Sequence, residues 1–240
     1  MREIIVTCRE LVSNNSFADD VDLQRYDYLH EDVKEVVKQW IQLAWEQRNC
    51  KPEKSFEPFI YAWFAFNVWA ACVTGKDKDF EWKQALSINP TLCSYFSDKV
   101  NDPNSSVSEL AREFYELWPV FRADEIRKKG VRLPGQRNLS GQPTLSRQET
   151  VKHYFKLGIE KYAPQCWKEH EYASEKVPLD WPHTLAVLYR VRCNLFHGEK
   201  GIKSEMDQKI VSKAFRLLVH FFYRRLILIP PSTEMRLTSA

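Results

Sequence analysis

The stretch from Phe56 to Thr74 restricts the possible folds of this chain more than any other. Its sequence, FEPFIYAWFAFNVWAACVT, is apolar on nearly every side of a helix, and Gly75 follows it as a stop signal. A helix that is hydrophobic all round has to be buried on most sides. The stretch is too short and too rich in Asn, Tyr and Glu for a comfortable membrane span. It is therefore predicted to be a core helix that other elements surround.

The rest of the 240-residue chain favours helices as those elements. It contains only seven glycines and few alternating β-branched runs, and 44% hydrophobic residues can fill a sizeable core. An all-α fold is therefore predicted. The expected helices cover residues 31–48, 56–74, two short helices within 76–100 split at Asn89-Pro90, 107–117 with Ser106 or Ser108 as cap, 146–162, 183–197 and 204–229.

Composition also bounds the domain organisation and the chemistry. We expect residues 1–29 to form an N-terminal extension of uncertain structure, residues 30–229 one helical domain, and residues 230–240 a flexible tail after Pro230-Pro231. The six cysteines show no C-x-x-C pair and no ligand spacing with histidine, which predicts reduced thiols and neither metal nor cofactor. The sequence has no signal peptide, which favours a cytoplasmic protein without membrane association.

The helix predicted over residues 183–197 ends in an unusual concentration of polar groups. Pro182 fits its first turn and Gly198 follows its last turn. Its apolar sequence HTLAVLY leads into two arginines, a thiol, an amide and an imidazole, in the order Arg190, Arg192, Cys193, Asn194 and His197. A buried core helix has little need of such an end, which marks it as a candidate site.

Helix geometry shows how these side chains are distributed. Arg192 and His197 are separated by roughly 140° around the helix axis and about 7.5 Å along it. Arg190 and Asn194 share one edge with His197, and Arg192 lies beside that edge. The negative end of the helix dipole favours a protonated imidazole. A histidine that titrates near neutral pH beside a permanently charged guanidinium suits acid–base chemistry on a phosphodiester.

The arrangement of Arg192, four residues, His197 and Gly198 at the end of a long helix resembles the signature of the HEPN superfamily. Upstream, Trp63, Phe66 and Asn67 resemble the aromatic-Asn element of the first core helix in several HEPN families, although plain core packing also accounts for them. HEPN proteins often carry a polar residue directly after the arginine. Here Cys193 takes that position, so Arg192 or Arg190 fills the role of the catalytic arginine.

The resemblance covers most of the chain, from about Glu31 to Ile229. It implies an up-and-down helical bundle with inserted loops and short extra helices. It also implies a metal-independent endoribonuclease in which the 2′-hydroxyl of RNA attacks the adjacent phosphate and leaves a 2′,3′-cyclic phosphate. His197 would then act as acid and base and Arg192 would contact the phosphate, with Arg190 and Asn194 in support.

Three further features belong to the same resemblance. HEPN proteins typically form homodimers with a composite active site, and in prokaryotes the resemblance suggests a toxin or an antiviral defence effector. An antitoxin or regulatory protein is then an expected partner. HEPN toxins paired with nucleotidyltransferase antitoxins often carry a tyrosine three residues after the histidine, and Lys200 at that position argues against this subgroup.

A second candidate for RNA contact lies between residues 127 and 147, which contain six basic and no acidic residues. Three glycines and two prolines predict a loop. The basic residues are expected to bind RNA phosphates, with a solvated surface loop as the alternative. They are Arg127, Lys128, Lys129, Arg132, Arg137 and Arg147.

Two other functions stay open at this stage. A non-catalytic HEPN module would bind RNA or a partner protein, and a helical scaffold would have no nucleic-acid role, which leaves the basic loop unexplained. The remaining histidines are isolated in the sequence and are expected to be surface or helix-cap residues. They are His30, His153, His170, His183 and His220.

Overall fold

The computed structural model describes residues 21–120, 177–196 and 204–223, and within these ranges the chain forms α-helices and no β-strand. The seven helices are α1 (Glu31–Glu46), α2 (Phe56–Thr74), α3 (Asp79–Ser87), α4 (Pro90–Asn101), α5 (Ser106–Tyr115), α6 (Trp181–Phe196) and α7 (Glu205–Tyr223). Single 3-10 turns occupy Arg25–Tyr28 and Pro52–Lys54. The predicted all-α class is confirmed, and the up-and-down HEPN-like arrangement stays a prediction.

Helix α2 forms the centre of the described bundle and packs against α1, α3 and α7. Phe59, Trp63, Phe66 and Trp69 on this helix are all buried. Among the described helices, α2 is the one that is long and apolar enough to cross a membrane by length and composition, and more than half of it is buried inside the bundle. Burial by neighbouring helices thus accounts for its apolar composition.

Several helices begin or end at residues that commonly start or stop helices. Gly75 ends α2 in the left-handed conformation, with φ at 63°, and its N–H donates to the Ala71 carbonyl. A side chain there would meet the guanidinium of Arg25, whose Nη1 lies 2.6 Å from the position of a Cβ. Asn89 caps α4 by accepting the N–H of Leu92 at 3.0 Å, and Pro90 is its first residue, so the chain divides into two short helices at Asn89-Pro90 as predicted.

Other boundaries differ from the predicted ones. Ser105 caps α5 by accepting the N–H of Val107 at 3.3 Å, so neither Ser106 nor Ser108 has that role. Ser108 is instead buried and donates to the carbonyl of Val100 at 2.6 Å. Because Ser105, Ser106 and Ser108 are all competent caps, the sequence alone does not choose among them.

Helix α6 begins at Trp181, two residues before the predicted start. The sequence predicts an irregular linker over residues 163–181, but Trp181 is a core residue. It is 1% exposed and packs against Phe96 and Phe221 at ring-centre distances of 5.8 and 5.0 Å. Its indole N–H donates to the carbonyl of Leu86, near the end of α3, at 2.8 Å. This contact fixes the start of α6 against the end of α3.

His183, in the first turn of α6, is buried and not on the surface as expected. Its backbone N–H donates to the Asp180 carboxylate at 2.9 Å in the manner of a helix N-cap, and its Nδ1 lies 2.6 Å from the same oxygen. His30 does act as a cap, because its Nδ1 accepts the N–H of Asp32 at 3.3 Å. His220 lies against Trp45 and hydrogen-bonds Ser106 through Nδ1 at 3.0 Å.

Candidate functional site

The last two turns of α6 carry the predicted site residues that the structure describes. Arg190, Arg192, Cys193 and Asn194 lie within the described part of the chain, and Phe196 is the last described residue of the helix. The predicted catalytic residue His197 follows directly and lies outside the described residues. The six basic residues of the predicted RNA-binding loop lie outside them as well, namely Arg127, Lys128, Lys129, Arg132, Arg137 and Arg147.

Arg192 is held by an ion pair that the sequence does not predict. Its Nη2 lies 2.8 Å from Oδ2 of Asp79, the first residue of α3. About one quarter of each side chain is exposed, 23% for Arg192 and 25% for Asp79. The start of a helix favours a carboxylate, so Asp79 is stabilised by its own helix as well as by the arginine. The pair joins the end of α6 to the start of α3.

Three aromatic rings surround the guanidinium of Arg192. Its Cζ lies 4.9 Å from the ring centre of Phe196, 5.8 Å from Tyr189 and 6.0 Å from Trp63, all within the range of cation–π attraction. Asp79 contacts Nη2, whereas among the described residues Nη1 makes only a weak contact, with Cys193 Sγ at 3.9 Å. The guanidinium is thus fixed in orientation while Nη1 keeps capacity to donate to a further acceptor.

Lys83 adds a second cation one helical turn beyond Asp79 on the same side of α3. Its Nζ lies 4.8 Å from the ring centre of Tyr189. Burial lowers the pKa of Lys83, and the nearby charge of Arg190 lowers it further. Lys83, Arg190 and Arg192 therefore bring three cationic side chains to the end of α6, where Asp79 pairs with Arg192. Such a cluster attracts an anion.

Tyr189 contributes a phenol that stays protonated at neutral pH. Burial raises the pKa of Tyr189 to about 12, and the neighbouring Cys193 thiol and Asp79 carboxylate act in the same direction. A protonated phenol is a hydrogen-bond donor. Tyr189 therefore belongs to the donor-rich surroundings of Arg192.

The two predicted supporting residues are less open than the helix pattern indicates. Asn194 is 3% exposed and lies on the buried side of α6, and Arg190 is half-buried. The edge that these residues define therefore faces the bundle over much of its length. Arg190 acts near the site through its charge on Lys83, while the structure gives Asn194 the position of a core residue.

In the aromatic-Asn element on α2, one residue contacts the candidate site and the others belong to the core. Trp63 is fully buried and forms part of the enclosure of Arg192, so it is both a core residue and a neighbour of the site. Phe66 packs in the core against Phe222 at 4.6 Å. Plain core packing of Asn67 predicts a hydrogen bond to its side chain inside the core, but its Oδ1 accepts none from the described residues.

Asp79 and Lys83 are the site residues that sequence reasoning missed. Their spacing of four places both on one side of a short helix, which is a signal for an internal pair and not for a contact with α6. Nothing local connects them to Arg192, which is far away in the sequence.

Replacing Lys83 by methionine is expected to raise the free energy of unfolding by about 1 kcal/mol at neutral pH. Burial and Arg190 lower the pKa of Lys83 in the folded protein below its ordinary 10.5, so the unfolded chain binds the proton more tightly. The destabilisation caused by protonated Lys83 is present in full below its pKa in the folded protein. It disappears as the pH rises from this folded-state pKa to the pKa of the unfolded chain. Urea unfolding of both proteins at several pH values measures the difference.

The stability advantage of the methionine variant should accordingly shrink as the pH approaches 10.5. A variant that is less stable than wild type at pH 7 would show that the contact of the ammonium with Tyr189 outweighs its burial.

Among the described residues, no group of three or more His, Cys, Asp and Glu side chains is arranged to hold a metal ion. Comparisons of the chain with protein-family models, curated proteins and solved structures find no match. The functional proposal therefore depends on the chemistry of the site residues themselves.

Proposed function

We propose that this protein is a metal-independent endoribonuclease of the HEPN type, which leaves a 2′,3′-cyclic phosphate on the RNA it cuts. One observation carries the proposal. Arg192, five residues before His197, is held in a fixed orientation by Asp79 and three aromatic rings, next to the charges of Arg190 and Lys83. A prepositioned guanidinium in a cationic setting suits the recognition of a phosphodiester.

Arg192 has the phosphate-binding role in this proposal. Attack by the 2′-hydroxyl places extra negative charge on the phosphoryl oxygens, and a guanidinium that is already oriented stabilises that charge without reorganising. The Asp79 carboxylate keeps the guanidinium in place through Nη2, and Nη1 donates to the phosphate. Arg190 and Lys83 supply additional positive potential, and Tyr189 supplies a neutral donor.

His197 has the acid–base role. The reaction needs a base that takes the proton of the 2′-hydroxyl and an acid that gives a proton to the departing 5′-oxygen. An imidazole can serve in either role near neutral pH. Because one helix separates Arg192 from position 197 by roughly 140°, a second copy of the chain is proposed to complete the site with its own arginine and histidine.

The remaining elements of the proposal concern the setting of the reaction. The six cations between residues 127 and 147 would follow the RNA backbone and give binding that weakens with salt. An enzyme of this kind that acts without a metal is proposed to serve as a prokaryotic toxin or antiviral defence effector. A neutralising or regulatory protein would then be its partner.

A specific observation favours a second candidate, a non-catalytic HEPN module that binds RNA or a partner protein. The ion pair with Asp79 already satisfies part of the Arg192 guanidinium inside the fold. A partly buried pair of this kind can act as a structural link between two helices. In that case the cationic cluster would bind RNA without cutting it.

The test is RNA cleavage by the purified protein in the presence of EDTA. We expect cleavage of single-stranded RNA to fragments with 2′,3′-cyclic phosphate ends, identified by mass spectrometry. The matched substrate has 2′-O-methyl groups throughout and should stay intact, because the attacking hydroxyl is blocked. Salt-sensitive binding without cleavage would select the non-catalytic module, and the absence of any RNA binding would select the scaffold.

A further inference from the structure

Three aromatic side chains form a partly exposed row next to the candidate site, which we call the aromatic strip: Trp40 of α1, Phe64 of α2 and Phe196 of α6. The ring centres of Trp40 and Phe64 are 5.4 Å apart, and those of Phe64 and Phe196 are 5.9 Å apart. Phe64 is 36% exposed and Phe196 is 43% exposed. Each ring is held by its neighbour; the two phenylalanines keep a large part of their surface in contact with solvent, and Trp40 is partly buried.

The aromatic strip begins at the cation of the candidate site. The guanidinium of Arg192 lies 4.9 Å from the ring centre of Phe196, the first ring of the row. Phe64 of α2 contacts Phe196 in turn, and Trp40 of α1 contacts Phe64. A positive charge followed by a series of half-exposed rings combines the two contacts that a nucleotide requires, one for its phosphate and one for its base.

We propose that the aromatic strip binds unpaired nucleobases of the RNA whose phosphate Arg192 contacts. This inference rests on the proposed function and specifies its substrate as single-stranded RNA. In a duplex, the flat faces of the bases are stacked on one another and are not open to protein rings. Unpaired bases can be splayed out and stacked on Phe, Tyr or Trp side chains, largely without regard to their identity.

The same surface has a competing occupant, a second copy of the chain. Val33, Val36 and Leu43 lie near Trp40 on α1 and are also exposed, at 38%, 40% and 43%. Charge favours the nucleobase assignment, because the strip ends at the Arg192 guanidinium beside the cations Arg190 and Lys83. An RNA phosphate complements this charge, whereas an apolar contact between subunits would desolvate it and supply no anion of its own.

The experiment compares substitutions that remove an aromatic ring with a substitution that removes only exposed apolar area. Phe64→Leu and Phe196→Leu remove a ring and keep an apolar side chain, and Leu43→Ala removes exposed apolar area from α1 without touching a ring. Binding of a fluorescent 2′-O-methyl RNA oligomer, single-stranded or duplex, is measured by anisotropy, so that cleavage does not interfere. Circular dichroism confirms that each variant is folded.

Wild type should bind the single strand more tightly than the duplex. Each phenylalanine variant should weaken single-strand binding at least about fivefold, since stacking on one ring contributes on the order of 1 kcal/mol or more per base. Duplex binding should change little. The Leu43→Ala variant should bind the single strand like wild type.

The outcomes separate the two proposals. If the wild-type protein cleaves RNA and both phenylalanine variants bind RNA with unchanged affinity, the nucleobase assignment is overturned and the ribonuclease proposal stays intact. A dimer that Leu43→Ala dissociates in sedimentation, with RNA affinity unaffected in the phenylalanine variants, would assign the strip to a second copy. A wild type that neither binds nor cuts RNA would overturn both.

Discussion

Replacing His197 by alanine is expected to reduce RNA cleavage in EDTA by about 10²- to 10⁴-fold, the usual contribution of a positioned acid–base group. The affinity for 2′-O-methyl RNA should stay close to that of wild type, because the cations that contact phosphate are unchanged. Initial rates at saturating RNA measure the first quantity and anisotropy measures the second. Cleavage that persists in the variant would remove the catalytic assignment of His197.

His220→Ala is the matched control for this experiment. His220 packs on Trp45 and hydrogen-bonds Ser106, and its interactions with these residues do not involve α6. Its loss should leave the cleavage rate near that of wild type. A parallel decrease in both histidine variants would indicate general damage to the fold and not the loss of a catalytic group.

The arginine that serves the reaction can be identified by the same assay. Arg192→Ala should lower the cleavage rate by about 10²- to 10³-fold, the range for loss of one preorganised donor to the transition state. Arg190→Ala should have a smaller effect, since Arg190 bears on the site through its charge on Lys83, whereas Asp79 orients the guanidinium that contacts the phosphate. The reverse order would transfer the catalytic role to Arg190.

Replacing Trp181 by alanine is expected to lower the free energy of unfolding by about 3–5 kcal/mol, the usual cost of truncating a buried tryptophan. The indole is 1% exposed, contacts the rings of Phe96 and Phe221, and donates to the Leu86 carbonyl. The substitution therefore creates a cavity and removes a hydrogen bond at the same time. Urea unfolding monitored by circular dichroism measures the change.

Two control substitutions are expected to lower the free energy of unfolding less than Trp181→Ala does. Trp181→Phe keeps most of the apolar volume but loses the indole N–H, so it should cost less than the alanine variant. Phe80→Ala on α3 removes a ring that is 62% exposed and should change stability by no more than about 0.5 kcal/mol. An alanine variant at position 181 that is as stable as Phe80→Ala would contradict the core position of Trp181.

Much of the fold within the described residues is predictable because local signals and burial agree. Gly75 ends α2 as expected, Asn89 and Pro90 begin α4 as expected, and the apolar sequence of α2 corresponds to its central position. In each case one residue type satisfies a requirement of the backbone or of the core. The start of α5 was less predictable, because several neighbouring serines could meet the same requirement.

The site was predictable only in part. Arg192 stood out because a charged residue at the end of an apolar helix needs an explanation, but its partner Asp79 comes from a different helix and leaves no local trace. The core position of Trp181 is not predicted, for the same reason. Its burial depends on contacts with Leu86, Phe96 and Phe221, which arise only after α3, α4, α6 and α7 have packed. Long-range contacts of this kind are not encoded in periodicity.

Helix α3 holds α6 in place at both ends. Its beginning binds Arg192 through Asp79, and the carbonyl of Leu86 near its end binds the indole of Trp181, so the two helices run in opposite directions and are tied at both ends. A helix of nine residues is not stable by itself in water. Helix α3 can therefore support α6 only while the bundle is assembled around it. A peptide limited to the arginine-bearing helix would contain the same residues but would have no means of aiming the guanidinium.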